Sequence, residues 1–213
     1  MLNIAVLVSG GGTNLQALID AEAAGQIDNG RIACVVASKP DIFALERAER
    51  ANIPSEIIRR KEFATQDDYD DELIRVLESY EIDLVVLAGF MTIISDRVID
   101  RFRNRIINIH PSLIPSFCGE GFYGLKVHEA ALEKGVKVSG ATVHFVNEIC
   151  DGGPIILQKA VDVRDDDTPE TLQLRIMEQA EWKILPRAVS LYCSGRLTVE
   201  NNQVKITESS IKN

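Results

Sequence analysis

A chain of 213 residues with 46% hydrophobic side chains can build one large domain around its own core, without disulfides or a structural metal. Its formal charge of −9 repels phosphate backbones and anionic membrane surfaces. Nucleic acid and membrane are therefore not expected partners, whereas a small anion can still be held in a locally positive site. The cysteines Cys34, Cys118, Cys150 and Cys193 form no CxxC pair, which argues against a zinc cluster or a dense disulfide framework and fits reduced thiols in a cytosol.

The start, Met1-Leu2-Asn3-Ile4, has no basic region ahead of an apolar one, so no signal peptide is expected. No apolar run approaches the roughly 20 residues needed to cross a bilayer, and the expectation is a soluble cytoplasmic protein. Residues 4–8, 32–37 and 84–88 are continuous β-branched and aliphatic runs, as expected of strands buried on both faces. Between them, 15–24, 43–51 and 69–80 carry helical patterns; in the last, Leu73, Val76, Leu77 and Tyr80 share one face. Strand and helix in alternation predict a parallel sheet with right-handed crossovers. A strand over 105–109 leads into a loop rich in Pro and Gly, then a helix near 127–133 and two longer strands, 138–147 and 155–163. A long helix opens at Thr168-Pro169-Glu170, with Thr as N-cap and Pro at the first helical position. Leu172, Ile176, Ala180, Ile184 and Ala188 form its buried stripe, and Pro186 is expected to loosen its last turns. Residues 197–206, with Asn201-Asn202 at the centre, read as a terminal hairpin, and 207–213 as a frayed polar tail. With no repeat, linker or low-complexity tract, the expectation is a single α/β domain over 1–213, a mostly parallel twisted sheet with helices on both faces.

Three motifs carry candidate chemistry. Ser9-Gly10-Gly11-Gly12-Thr13-Asn14 lies between the first strand and the first helix, where backbone N–H groups and the positive helix end converge on an anion. It is neither a Walker A loop nor a full dinucleotide fingerprint, and a plain Gly-rich turn is the alternative. Asn108-Ile109-His110-Pro111-Ser112 ends a buried strand, and alternation turns Asn108 and His110 to one side. Asp151-Gly152-Gly153-Pro154 is either a turn or a turn whose carboxylate meets His110; an acid there would raise the His pKa and make it a proton donor near neutral pH.

These motifs, with Leu84-Val85-Val86-Leu87-Ala88-Gly89-Phe90-Met91 and Val143-His144-Phe145-Val146, closely resemble the folate-dependent formyltransferases, specifically the phosphoribosylglycinamide formyltransferase branch. The resemblance runs from about residue 3 to 199 with the motifs in order. It implies a Rossmann-like formyltransferase fold and transfer of a formyl group from 10-formyltetrahydrofolate, a co-substrate, to the amine of phosphoribosylglycinamide in de novo purine synthesis. It implies no metal, and it leaves monomer and homodimer open. By position it implies Asn108, His110 and Asp151 as the catalytic trio. Gly12, Thr13, Asn14 and Glu181 match substrate-binding positions. Met91, Thr92, Ile93, Ile94, Asn147 and Glu148, together with Asn108 and Asp151, match the folate pocket. On that reading His110 and the Asn108 amide stabilise the oxyanion that forms as the amine attacks, and His110 with Asp151 relays the proton.

The sequence departs from the pattern in three places. Thr92 stands where many relatives have Arg, Gln66 lies near a position that is basic in some, and 116–126 is longer and richer in Gly, with Cys118 in place of Pro. The rival readings are a formyltetrahydrofolate deformylase, whose relatives carry an added N-terminal domain, a methionyl-tRNA formyltransferase, whose relatives carry an added C-terminal domain, and a non-catalytic phosphate-binding module.

Overall fold

The computed structural model describes residues 1–207; the tail expected to fray lies, beyond Thr207, outside the described residues. In chain order the elements are β1 (Leu2–Val8), α1 (Thr13–Ala23), β2 (Gly30–Ala37), α2 (Phe43–Arg50), β3 (Ser55–Ile57), α3 (Gln66–Ser79), β4 (Leu84–Leu87), α4 (Asp96–Arg101) and β5 (Ile106–His110). They continue with α5 (Leu125–Lys134), β6 (Val138–Phe145), β7 (Ile155–Asp162), α6 (Pro169–Ile176), a π-helical turn (Met177–Glu181), α7 (Trp182–Cys193), β8 (Leu197–Glu200) and β9 (Gln203–Ile206).

Seven strands form one sheet in the order β3-β2-β1-β4-β5-β6-β7, and β8 and β9 pair as a separate hairpin. β1 to β5 are parallel, while β6 and β7 are antiparallel, which gives the mostly parallel sheet expected. Strand alternation divides the core. Ile4, Val6 and Val8 of β1 pack with Leu15 and Leu18 of α1 and with Ala180, Ile184 and Ala188. Ala5 and Leu7 pack on the other face with Tyr69, Leu73 and Leu77 of α3 and Val98 of α4. Each such side chain removed from water contributes about 1.5–3 kcal/mol, so the sheet edge is a rigid mount. Because the order runs outward from β1 in both directions, the loops after β1 and β4 diverge and open a crevice at the carboxyl ends of the strands.

Local signals set the helix starts. Thr65 accepts from Asp68 N and Asp68 reaches back to Thr65 N, a capping box on α3. Thr168 caps α6, with Pro169 in its first turn. The five residues read as that helix's stripe are all buried. The predicted single long helix is broken by the π turn at Met177–Glu181, upstream of Pro186, which lies inside α7. The wider turn brings Ala180 and Glu181 both into the interior, although at α-helical spacing adjacent residues point about 100° apart. β3 and α4, three and six residues long, have too few residues for a periodic signal.

Candidate active site

β5 carries Asn108 and His110 to the carboxyl edge of the sheet, and the antiparallel neighbour β6 sets His144 directly opposite Asn108. The turn after β6 returns Asp151 beneath them in a left-handed backbone conformation, φ 54°. That return needs Gly153, where a Cβ would stand 1.8 Å from the carbonyl oxygen of Phe145.

The four side chains form one cluster. Asp151 Oδ2 lies 3.5 Å from His110 Nδ1, and its Oδ1 lies 3.6 Å from His144 Nε2. The Asn108 amide nitrogen is 3.1 Å from His144 Nε2 and donates to Asp151 Oδ1 at 3.4 Å. His144 Nδ1 faces the Phe145 carbonyl at 2.8 Å. His144 Nε2 thus lies between the Asn108 amide and the Asp151 carboxylate, and its ring, tied to the Phe145 carbonyl, positions both. His110 Nε2 donates to the Phe117 carbonyl at 2.9 Å, and Gly119 N donates to Asp151 Oδ2 at 2.9 Å. Two hydrogen bonds thus seat the 117–119 backbone on the cluster.

Burial dominates the electrostatics of His110. It pushes the imidazole below its ordinary pKa, the Asp151 charge and the Phe117 carbonyl pull it back up, and the net direction is down. The sequence-based expectation of a raised His110 pKa is therefore corrected: Asp151 acts in the expected sense, but desolvation outweighs it. For Asp151, burial pushes upward, while the His144 hydrogen bond, the His110 charge and the Gly119 N–H together hold the carboxyl below its ordinary value. At neutral pH the pair is a carboxylate beside a mostly neutral imidazole. His128, on α5, is also fully buried, both ring nitrogens lack a partner, and burial with the His110 charge pushes its pKa down to about 4.

The glycine loop lies across the crevice. Gly12 opens α1 at φ 70°, and a Cβ there would be 2.7 Å from Ala44 Cβ; glycine is required both by the backbone and by the approach of α2. Ala44 N and Arg47 Nε donate to the carbonyls of Gly10 and Gly11, which turns those oxygens toward α2. The Asn14 amide donates to Glu181 Oε2 at 2.6 Å, while Asn14 Oδ1 is buried without a partner. Burial raises the Glu181 pKa to about 7 against the opposing Asn14 hydrogen bond. The π turn thereby delivers a buried carboxyl to the start of α1.

The residues matched to the folate pocket divide. Met91 and Ile93 are exposed apolar side chains, as is Ile149 of the 147–152 turn; apolar surface beside a polar cluster suits a flat apolar ligand. Met91 N donates to Ser9 Oγ at 2.8 Å, tying this segment to the glycine loop. Ile94 packs against the α3 face of the core. Asn147 braces its own turn, with Oδ1 accepting from Ile149 N at 3.1 Å. Glu148 points away and pairs with Arg103 at 2.5 Å. Thr92 lies beside the Tyr69 hydroxyl. The sequence assigns no role to His128 and places His144 only within a matched segment; for His144 the functional signal is its place opposite Asn108, which becomes visible only once β5 and β6 are known to pair. Among the described residues no group of three or more His, Cys, Asp or Glu side chains is arranged to hold a metal ion, and no helix is long and apolar enough to cross a membrane.

Comparison with known proteins places this geometry. The family described as "Formyl transferase" matches residues 2–189. Phosphoribosylglycinamide formyltransferase of Haemophilus influenzae is 43% identical over 95% of this chain and 92% of its own length. The human trifunctional purine biosynthetic protein adenosine-3 is 44% identical over 93% of this chain, which corresponds to 19% of that larger protein. The crystal structure of glycinamide ribonucleotide transformylase 1 from Symbiobacterium toebii superposes with a TM-score of 0.92 at 44% identity, covering 98% of this chain and 95% of that one. The chain belongs to the formyl transferase family, among the folate-dependent phosphoribosylglycinamide formyltransferases.

Proposed function

We propose that the chain transfers the formyl group of 10-formyltetrahydrofolate to the primary amine of phosphoribosylglycinamide, with Asn108, His110 and Asp151 as the catalytic residues and His144 as the positioning partner of Asn108. The observation that carries this reading is the Asp151 carboxylate set 3.5 Å from one buried imidazole and 3.6 Å from another, with an amide N–H donor in the same cluster.

Attack of an amine on a formyl carbon builds negative charge on the former carbonyl oxygen, and groups that meet that charge only in the transition state accelerate the step. His110 Nε2 donates to the Phe117 carbonyl, and that direction of donation serves an oxyanion once the carbonyl is displaced. The Asn108 amide, held by His144, is the second donor. The attacking nitrogen must lose a proton and the departing folate nitrogen must gain one; the His110–Asp151 pair is the titratable group of the cluster that can relay it between them. No covalent intermediate is required, and Ser112 is fully buried with its hydroxyl given to the Ser116 carbonyl. The apolar surface of Met91, Ile93 and Ile149 supports a folate ring. The start of α1, with Gly12, Thr13 and Asn14, supports the acceptor's phosphate, and Glu181 beside Asn14 supports its polar body.

The test is consumption of 10-formyltetrahydrofolate with and without phosphoribosylglycinamide, with product analysis. The expected outcome is acceptor-dependent loss with formylated ribonucleotide as product. Equal loss in both tubes with free formate makes the protein a deformylase, and binding without turnover makes it a ligand-binding module.

A further inference from the structure

Cys118 and Cys150 come from different loops and meet at one atom. Cys150 Sγ lies 3.9 Å from Asp151 Oδ2, and Gly119 N, the peptide nitrogen that follows Cys118, donates to the same oxygen at 2.9 Å. Both are free thiols; Cys150 is exposed and Cys118 partly buried. Burial first, and then the Asp151 charge, pushes the pKa of each above its ordinary value, and Cys150 also feels Cys118. Cys34 and Cys193 lie in the core, with their thiols pushed up to about 12, and take no part. A disulfide needs Cα atoms about 4.4–6.8 Å apart. Two residues packed around one oxygen atom come to that span by side-chain rotation and a small shift of an exposed turn.

The segment that carries Cys118 is the one seated on the catalytic cluster. The Phe117 carbonyl accepts from His110 Nε2 at 2.9 Å, so this donor is occupied until residue 117 moves. Phe117 is held at φ 50°, a left-handed conformation that a bulky side chain keeps only where its surroundings impose it. Hydrogen bonds at Phe117 and Gly119 fasten the strap to His110 and Asp151, and a substrate can replace both with its own. A covalent bond at the residue between them cannot be replaced in that way.

We propose that Cys118 and Cys150 form a redox modification site, whose disulfide locks the 117–119 backbone onto His110 and Asp151 and switches the enzyme off. The proposal rests on the functional reading above, in which the Phe117 carbonyl must leave His110 Nε2. The oxidant is a low-molecular-weight disulfide. The exposed Cys150 thiolate attacks one of its sulfurs, the S–S bond breaks, and the first small thiol leaves with the proton that Cys150 gave up. The Cys118 thiolate then attacks Cys150 Sγ and expels the second small thiol. Two protein thiols are oxidised while one small disulfide is reduced to two thiols, so a reducing dithiol reverses the lock. Because little of either cysteine is thiolate at neutral pH, the exchange is slow there.

The experiment is incubation of the purified protein with glutathione disulfide, followed by peptide mapping in a mass spectrometer and by single-turnover formyl transfer. A peptide linked through Cys118 and Cys150 is expected, with transfer slowed about 10²-fold, the scale of one lost transition-state donor, and restored by dithiothreitol. Cys118→Ser and Cys150→Ser are expected to transfer as the wild type does when reduced, and to keep most of that rate under oxidation. Absence of the linked peptide, or unchanged transfer by protein in which the link is complete, overturns the proposal. Full inhibition of Cys118→Ser through a mixed disulfide on Cys150 alone overturns it too. No transfer by the reduced wild type defeats the functional reading. Hydrogen exchange at the amides of 117–119, which the disulfide is expected to slow, then tests the lock by itself, and unslowed exchange overturns it.

Discussion

Asp151 Oδ2 stands 3.5 Å from His110 Nδ1, and the two side chains, 10% and 6% exposed, share a site from which water is nearly excluded. Their opposing effects decide how His110 works. Burial lowers its pKa, and Asp151 limits the fall. Asp151→Asn is therefore expected to lower the His110 pKa further, followed through the imidazole ¹⁵N shifts against pH. An unchanged titration means that the two groups are not coupled.

Glu181 gives a stability signature of known sign. Its folded pKa of about 7 lies above the ordinary 4.5, so the folded state binds more protons between those values. Its contribution is fully present below pH 4.5 and lost as pH rises through about 7, at about 1.4 kcal/mol per unit. Urea midpoints from pH 5 to 7 are expected to fall for the wild type relative to Glu181→Gln. Parallel profiles contradict a buried proton on Glu181.

His128 acts in the opposite sense. Its folded pKa of about 4 lies below the ordinary 6.5, so the unfolded state binds the extra proton between them and stability falls on acidification, again at about 1.4 kcal/mol per unit. His128→Leu is expected to flatten this acid limb, measured as Tm against pH from 7 to 5. An acid limb as steep as that of the wild type assigns it to other groups.

Much of this architecture is legible in the sequence because its signals are local. The apolar runs of β1, β2 and β4, the Thr168-Pro169 start and the same-side placement of Asn108 and His110 follow from side-chain period and caps. What is not legible depends on pairing and burial. His144 enters the site only through the antiparallel register that sets it against Asn108. The direction of the His110 shift is a balance between desolvation and a charge contributed 41 positions away, and no spacing rule weighs the two. The turn that carries Glu181 inward departs from the helical period used to read the helix around it.

The loop at α1 is tested by Thr13→Val. A phosphate contact remote from the reacting amine contributes equally to ground and transition states, so the change is expected in KM for the acceptor with little change in kcat. Loss of one charged hydrogen bond, about 1.5–3 kcal/mol, corresponds to roughly 10- to 150-fold. Steady-state kinetics at varied acceptor concentration read it, and an unaltered acceptor KM removes Thr13 from the phosphate site.

The most direct test of the account is His110→Ala, followed by single-turnover formyl transfer with both ligands saturating and by equilibrium binding of each. Removal of one transition-state donor costs about 10²–10³ in rate, and the lost proton transfer adds to it. Turnover is expected to fall by at least that much while the dissociation constants for folate and ribonucleotide change only a few-fold. A variant that keeps a tenth or more of the wild-type rate contradicts a mechanism centred on His110.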